Sequence, residues 1–140
     1  MVRISNLELL EFLERNSRTS FVSIAEKLKV SETAIRKRVK ILEDEKIIER
    51  YTIEVDPKKV GYSVRVMIGV DTKPESYITH IEKMKSKKEV RSLYSASGDH
   101  MILAECWFEN TKDFTNFVKS LEKEKGVTKV CPAVILERVK

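Results

Sequence analysis

Residues 20–42 constrain the fold most strongly, because they contain two short amphipathic segments joined by a tight turn. In the first segment, Ile24, Ala25 and Leu28 have the spacing of the buried face of a helix. Ser31 predicts the start of a second helix, since its hydroxyl can accept a hydrogen bond from a backbone N–H of the next turn. Two short helices arranged in this way are typical of a helix-turn-helix.

The second predicted helix has an apolar back and a cationic front. Ile35, Val39 and Leu42 recur at i, i+4 and i+7 and form one buried stripe, which leaves the basic side chains on other faces. Such a helix suits the major groove of double-stranded DNA. The residues predicted to contact DNA are Ser31, Glu32, Thr33, Arg36, Lys37, Arg38 and Lys40.

Within this set, Thr33, Arg36 and Lys37 are expected to reach base edges or the groove. The serine and the other basic residues are expected to bind phosphates or to hold the local structure.

The same charges also fit a solvated helix face, on which Arg36 and Lys40 pair with Glu32, Glu43 or Asp44. The short turn, the capping serine and the small alanine at the helix crossing favour DNA binding over this alternative.

This region resembles the Lrp/AsnC, or feast/famine, family of transcription regulators. The resemblance rests on Ala25-x-x-Leu28-x-Val30-Ser31-x-x-x-Ile35-x-x-Arg38-Val39-x-x-Leu42-Glu43, Ile47-Ile48, Tyr51-Thr52 and Val55-Asp56-Pro57, and it extends over nearly the whole chain. It implies a DNA-binding regulator of amino-acid metabolism genes. Lys46 and the region near Arg50 depart from the family, which usually has glycine at both places.

Two domains are predicted within the 140 residues. Residues 1–55 form the helix-turn-helix domain, opened by a helix from Ser5 to Asn16 and closed by one or two short strands over 46–55. These strands are either a wing, with Arg50 on a phosphate, or a linker strand that holds the two halves together, and we prefer the linker. Residues 56–61 are the boundary, and 62–140 form a domain for effector binding and oligomerisation.

The second domain has the pattern β-α-β-β-α-β. The predicted elements are strands 63–70, 90–96, 100–108 and 130–139, and helices 77–85 and 111–123. Ile78, Ile81 and Met84 or Lys85 are expected to form the buried face of the first of these helices. The fold class is therefore α+β, a helix-turn-helix domain followed by a ferredoxin-like domain with both helices on one face of an antiparallel sheet.

The other face of this sheet would also be apolar, since Met67, Met101, Leu103 and Trp107 lie on it if the strands alternate. A homodimer that buries this face would present two recognition helices to two half-sites. The family resemblance implies the same dimer, its assembly to tetramers or octamers, and an amino acid bound between dimers.

The family's ligand loop is a Gly-x-Tyr-Asp-like turn, which corresponds here to Gly98-Asp99-His100-Met101. Backbone N–H groups at the glycine can receive an α-carboxylate, and Asp99 can accept from an α-ammonium. A plain hairpin turn explains the same residues equally well. The candidate effector-binding residues are Tyr77, Ser97, Gly98, Asp99 and His100.

The predicted function is a sequence-specific transcription regulator that responds to glutamine, lysine or another polar amino acid. The alternative is a nucleoid-type DNA-binding protein without an effector. An enzyme is not expected, because only Asp99-His100 resembles a catalytic pair.

Composition limits the remaining possibilities. The net charge of +5 favours polyanionic partners. No run of 18 apolar residues and no signal peptide is present, so we expect a cytoplasmic protein without a membrane partner. Cys106 and Cys131 lack C-x-x-C spacing and are expected to be buried, reduced thiols. With His80 and His100 they form no ligand pattern, so neither a metal nor a cofactor is predicted.

Overall fold

The computed structural model describes residues 3–140, so residues 1 and 2 of the expected first domain lie outside it. The chain divides into two compact units, Met1–Glu54 and Val55–Lys140. The first unit contains three helices: α1 (Asn6–Arg15), α2 (Phe21–Leu28) and α3 (Glu32–Asp44).

Each helix of the first unit begins at a serine cap. The hydroxyls of Ser5, Ser20 and Ser31 accept from backbone N–H groups three residues later, at 3.4, 3.1 and 3.1 Å. An N-cap of this type contributes about 1 kcal/mol, because it satisfies a donor that the helix leaves unpaired. Lys29 adopts the left-handed conformation (φ 55°) and ends α2, which produces the predicted tight turn before α3.

Aliphatic side chains from all three helices form one core. Leu9, Ile24, Ile35 and Leu42 are fully buried, and Ala25 is nearly so. Full burial of each large side chain is worth about 1.5–3 kcal/mol, so this core fixes which face of α3 remains in solvent. The predicted helix-turn-helix is confirmed.

The strands predicted over 46–55 are absent from the structure. α3 ends with Lys46 in the left-handed region (φ 59°), and residues 51–56 have no regular secondary structure. A strand requires a backbone ladder with a neighbour, and the described residues provide none here. The Tyr51 hydroxyl instead donates to Glu43 Oε1 at 2.8 Å. Burial and then Glu43 raise the pKa of Tyr51 to about 12.

The second unit has the predicted order of elements. A 3-10 turn at Pro57–Val60 precedes β1 (Val64–Thr72), and a second 3-10 turn at Pro74–Ser76 follows it; the others are α4 (Tyr77–Lys85), β2 (Val90–Ser95), β3 (Ile102–Phe108), α5 (Thr111–Glu122) and β4 (Val127–Val134). The antiparallel sheet has the strand order β2-β3-β1-β4. This is the predicted ferredoxin-like arrangement, which is confirmed.

Both helices of this unit cover the same face of the sheet. Met84 of α4 and Leu121 of α5 join the cluster that contains Val66, Ile68 and Val70 of β1. Around them pack further side chains of both helices and of all four strands. The predicted single helical layer is therefore confirmed.

Several strand boundaries, most of all those of β4, and one helix face differ from prediction. β4 occupies Val127–Val134 rather than 130–139. Its partner strand β1 begins at Val64, so the ladder between them ends with the bond from Ile135 N–H to Arg65 O at 2.8 Å. Ile78 was expected on the buried face of α4 but is 69% exposed, whereas His80 is buried beside Met84.

The face of the sheet away from the helices is called here the open sheet face, and it carries Met67, Leu103 and Trp107 as half-buried side chains. Met101, which was expected among them, packs against the helix-covered core. Arg65 Nε donates to Glu105 Oε1 on this face at 2.7 Å. Burial opposes ionisation of Glu105, but its bonds from Arg65 and Trp107 prevail and lower its pKa.

The two cysteines differ in burial. Cys106 is fully buried and Cys131 is only half-buried, so the expectation of two buried thiols holds for Cys106 alone; both are free. Burial, with Glu89 and Glu105 nearby, raises the pKa of Cys106 to about 12. An un-ionised buried thiol acts as a small apolar side chain.

Candidate nucleic-acid interface and ligand loop

The basic side chains of α3 lie on its solvent side. Ile35, Val39 and Leu42 hold the back of the helix in the core, so the front is exposed. The exposed members of the predicted set are Ser31, Glu32, Thr33, Arg36, Lys37 and Lys40, whereas Arg38 is half-buried. The structure therefore brings most of the predicted DNA-contacting residues onto one accessible element.

Two of these cations already have partners on the same helix. Arg36 pairs with Glu32, and Lys40 pairs with Asp44 at 3.3 Å, with all four side chains at least 44% exposed. Exposed pairs of this kind are worth about 0–1 kcal/mol, so a phosphate or a base edge can replace the carboxylate at little cost. The pairing predicted for a solvated helix face and the exposure that DNA binding requires are thus both present.

Arg36 makes a second contact that the sequence analysis missed. Its guanidinium lies over the ring of Phe21, 5.5 Å from the ring centroid. Phe21 opens α2, so the contact joins the two helices of the motif. An aromatic residue directly after the capping Ser20 is the signal that was available in the sequence, but only the helix crossing shows that it meets Arg36.

Arg38 and Arg50 have different surroundings from the front of α3. Arg38 lines a cleft of about 380 Å³ with Arg3, Ile4 and residues 5–6 at the start of α1. Arg50 is exposed in the segment without strands. Arg50 is accessible to a DNA phosphate, although the described residues form no wing to carry it.

The β2–β3 hairpin places the predicted ligand loop at the surface. Ser97, Gly98 and Asp99 are exposed, and the backbone bond from Ala96 N–H to Met101 O at 2.9 Å closes the hairpin. Gly98 has φ 105°, a conformation that glycine adopts without strain. The turn therefore displays the Asp99 carboxylate to solvent.

His100 is held beneath this loop by a residue that sequence reasoning did not identify. Asp71 Oδ2 lies 2.9 Å from His100 Nδ1, and Asp71 Oδ1 accepts from the Met101 backbone N–H at 2.9 Å. The imidazole rests on Gly69, where an added Cβ would lie 2.4 Å from His100 Cδ2. Asp71 and Gly69 thus fix the base of the ligand loop.

Tyr77 is tied to β2 rather than to the loop tip. Its hydroxyl donates to Ser95 Oγ at 2.6 Å. The candidate effector residues therefore form two groups, one at the exposed tip and one, Tyr77, at the start of α4.

Asp71 should give the protein an acid-sensitive component of stability. Burial alone would raise its pKa, but the bonds from His100 and Met101 N–H and the charge of Lys129 lower it. A lowered pKa stabilises the fold above the ordinary aspartate range, and this stabilisation disappears as the pH falls through the folded pKa.

We expect Asp71→Asn to be less stable than the wild type at pH 6, with the difference shrinking below about pH 4. Urea unfolding at a series of pH values measures this. In a His100→Ala background, Asp71→Asn should cost less stability at pH 6, because the imidazole that binds the Asp71 carboxylate is missing. If the difference in free energy of unfolding between wild type and Asp71→Asn stays constant with pH, Asp71 is not the source of acid-sensitive stability.

Among residues 3–140, no group of three or more His, Cys, Asp and Glu side chains is placed to hold a metal ion. His80 is instead engaged with Glu124 Oε2 at 3.0 Å and the Lys125 carbonyl at 2.8 Å. Within the same described residues, no helix is both long and apolar enough to span a membrane.

Comparison with known proteins agrees with this two-part organisation. Residues 5–43 match the AsnC-type helix-turn-helix domain, and residues 64–140 match the Lrp/AsnC ligand binding domain. The HTH-type transcriptional regulator LrpA of Pyrococcus horikoshii is 51% identical over 133 residues, which cover 94% of each chain.

Solved structures show the same fold. The structure of Escherichia coli AsnC has a TM-score of 0.81 and 25% identity, covering 99% of this chain and 95% of that one. A transcriptional regulator of Neisseria meningitidis in complex with L-Met has a TM-score of 0.86 and 22% identity, covering 99% and 93%.

Fold and sequence together define a DNA-binding regulator in which a helix-turn-helix precedes a ligand-binding domain. The chain belongs to the Lrp/AsnC family of transcriptional regulators, as the sequence resemblance predicted, and it is not an enzyme.

Proposed function

We propose that this regulator binds a palindromic operator through α3 and changes its binding when a polar amino acid occupies the ligand-binding domain. The observation that carries the first part is the exposed front of α3, where Thr33, Arg36 and Lys37 stand opposite a buried apolar stripe. Arg36 donates to a guanine edge, and the other cations of the helix bind phosphates.

Self-association through the open sheet face completes this proposal. Met67, Leu103 and Trp107 give that face an apolar centre, and burying it against a second copy removes it from water. A two-fold dimer presents two copies of α3, which matches an operator with two half-sites. Dimers assemble further to tetramers or octamers, with the amino acid bound between dimers.

The effector is proposed to bind at the ligand loop. The turn at Gly98 offers backbone N–H groups for an α-carboxylate, and the exposed Asp99 accepts from an α-ammonium. His100 is held by Asp71, and Ser97 supplies a polar contact at the loop. The Tyr77 hydroxyl, by contrast, is bonded to Ser95 and stands apart from the loop tip. The Neisseria regulator of the same fold was solved with L-Met, which supports an amino acid as the ligand class. The present regulator is proposed to act in the cytoplasm, on amino-acid metabolism genes.

A thermal-shift screen of the twenty amino acids tests the effector, because a ligand that prefers the folded assembly raises its apparent stability. Mobility shifts on an operator selected from random duplexes, with and without the stabilising amino acid, then test regulation. An amino acid that stabilises the protein and alters operator affinity supports the proposal. No response to any of them, with uniform coating of DNA, would indicate the effector-independent nucleoid-type protein instead.

Asp99→Ala is expected to reduce affinity for the amino acid found in that screen by tenfold or more, about 1.4 kcal/mol, because the ammonium loses a charged acceptor. Isothermal titration calorimetry measures the affinity, and size-exclusion chromatography checks that the oligomer is intact. Glu122→Ala, which removes an exposed carboxylate from α5, is the matched control. Equal affinity in Asp99→Ala and wild type would remove Asp99 from the site.

A further inference from the structure

Arg36 is the one side chain of the α3 front that is held from two directions in the described structure. Glu32, one turn earlier on α3, binds its guanidinium, and the ring of Phe21 on α2 lies beneath it. The arginine side chain is nevertheless 64% exposed, so both contacts leave donors facing solvent. A long flexible side chain is thereby restricted without being buried.

We propose that Phe21 is a positioning residue for operator recognition, which fixes the plane of the Arg36 guanidinium before DNA arrives. The inference rests on the proposed contact of Arg36 with a guanine edge. Phe21 itself does not touch DNA in this assignment and acts through Arg36 alone.

The physical reason is preorganisation. A bidentate contact to guanine requires two donors in the plane of the base, and a free arginine loses rotamer freedom when it is fixed there. A ring that stacks on the guanidinium removes part of this loss in advance, because arginine stacks on aromatic faces while its donors remain in the plane. Phe21 should therefore strengthen specific binding more than non-specific binding, which depends on charge and not on orientation.

The chain provides a matched control for this role. Phe12 on α1 is also half-buried against the helical core, and Lys27 Nζ lies 5.4 Å from its ring centroid. Phe12→Leu therefore removes a ring of the same kind from the same core, together with a cation–π contact that does not involve α3. Any loss caused only by the missing ring in the helical core should appear in both variants.

The experiment measures the ratio of affinities for the selected operator and for a scrambled duplex. We expect Phe21→Leu to lower this ratio about two- to fivefold, the factor that a partly exposed cation–π contact is worth. Phe12→Leu should leave it unchanged, and Phe21→Tyr, which retains the ring face, should restore it. Thermal unfolding of each variant identifies any general loss of fold.

Combination with Arg36→Ala separates the possible outcomes. If Phe21 acts through Arg36, Phe21→Leu lowers the ratio no further in the Arg36→Ala background. Additive losses, or equal ratios for Phe21→Leu and Phe12→Leu, would overturn the inference while leaving the guanine contact intact. If Arg36→Ala itself leaves the ratio unchanged, the proposed base contact fails, and the role of Phe21 fails with it.

NMR of the free wild-type protein tests the contact without any variant. A guanidinium fixed over a ring brings the Arg36 side-chain protons into the ring current of Phe21, so they should be shifted upfield. An Arg36 ε proton, which belongs to the guanidinium over the ring, at the shift of an unstructured arginine would overturn the inference, whether or not Phe21→Leu folds.

Discussion

Arg36→Ala is expected to weaken binding to the selected operator by about 1–3 kcal/mol, the range for losing a bidentate arginine–guanine contact. Binding to a scrambled duplex should weaken much less, since that mode depends on charge and loses only one cation. Fluorescence anisotropy with both duplexes at several salt concentrations measures the two losses separately.

Lys27→Ala provides the control for charge. Lys27 is exposed on α2 and, like Arg36, lies over an aromatic ring, so its removal changes the net charge equally without altering the front of α3. If the two variants weaken operator binding to the same extent, the effect of Arg36 is electrostatic and not base recognition. An unchanged footprint and affinity for Arg36→Ala would refute its assignment altogether.

The features that the sequence predicted well are those set by neighbours three or four residues apart. Ser31 caps α3 through the backbone N–H of Ala34, and the stripe of Ile35, Val39 and Leu42 is buried as its period requires. α5 begins after its cap Asn110 and likewise buries its apolar side. Local interactions of this range are contained in the sequence itself.

Features that depend on a distant strand could not be read in the same way. The alternation in Tyr51, Ile53 and Val55 is that of a strand, yet these side chains are exposed, and the segment joins no β-ladder in the described part of the chain. The end of β4 depends on where β1 begins, and no pattern within residues 130–139 contains that information. Strand propensity therefore predicted a strand at 51–55 that does not form, and it predicted β4 as a strand but with the wrong ends.

The candidate sites show the same division. Gly98 and Asp99 are neighbours in a turn, and the sequence indicated them directly. Asp71 holds His100 across 29 positions, and this contact exists only because β1 and β3 pair in one particular register. Phe21 meets Arg36 because α2 and α3 pack into one core. Both missed residues support a predicted one from another element, so only the assembled fold identifies them.

Gly126→Ala is expected to lower the free energy of unfolding of the second unit by about 2–4 kcal/mol. Gly126 joins α5 to β4 with φ 90°, a conformation that alanine adopts only with strain. An added Cβ would also lie 2.2 Å from Ser76 Oγ and 2.6 Å from Ser76 Cβ. The backbone cannot move away easily, because the Gly126 carbonyl accepts from Lys73 N–H at 2.7 Å.

Gly61→Ala separates these two causes. Gly61 has a similar φ of 98°, but an added Cβ there would meet no atom within 4 Å, so only the backbone strain of about 1–2 kcal/mol remains. Ser76→Gly combined with Gly126→Ala should recover the steric part and leave the strain. Urea unfolding followed by tryptophan fluorescence, which reports on Trp107 in this unit, measures all three variants. Equal losses for Gly126→Ala and Gly61→Ala would show that Ser76 yields freely, and that the close approach of Ser76 to Gly126 does not constrain the fold.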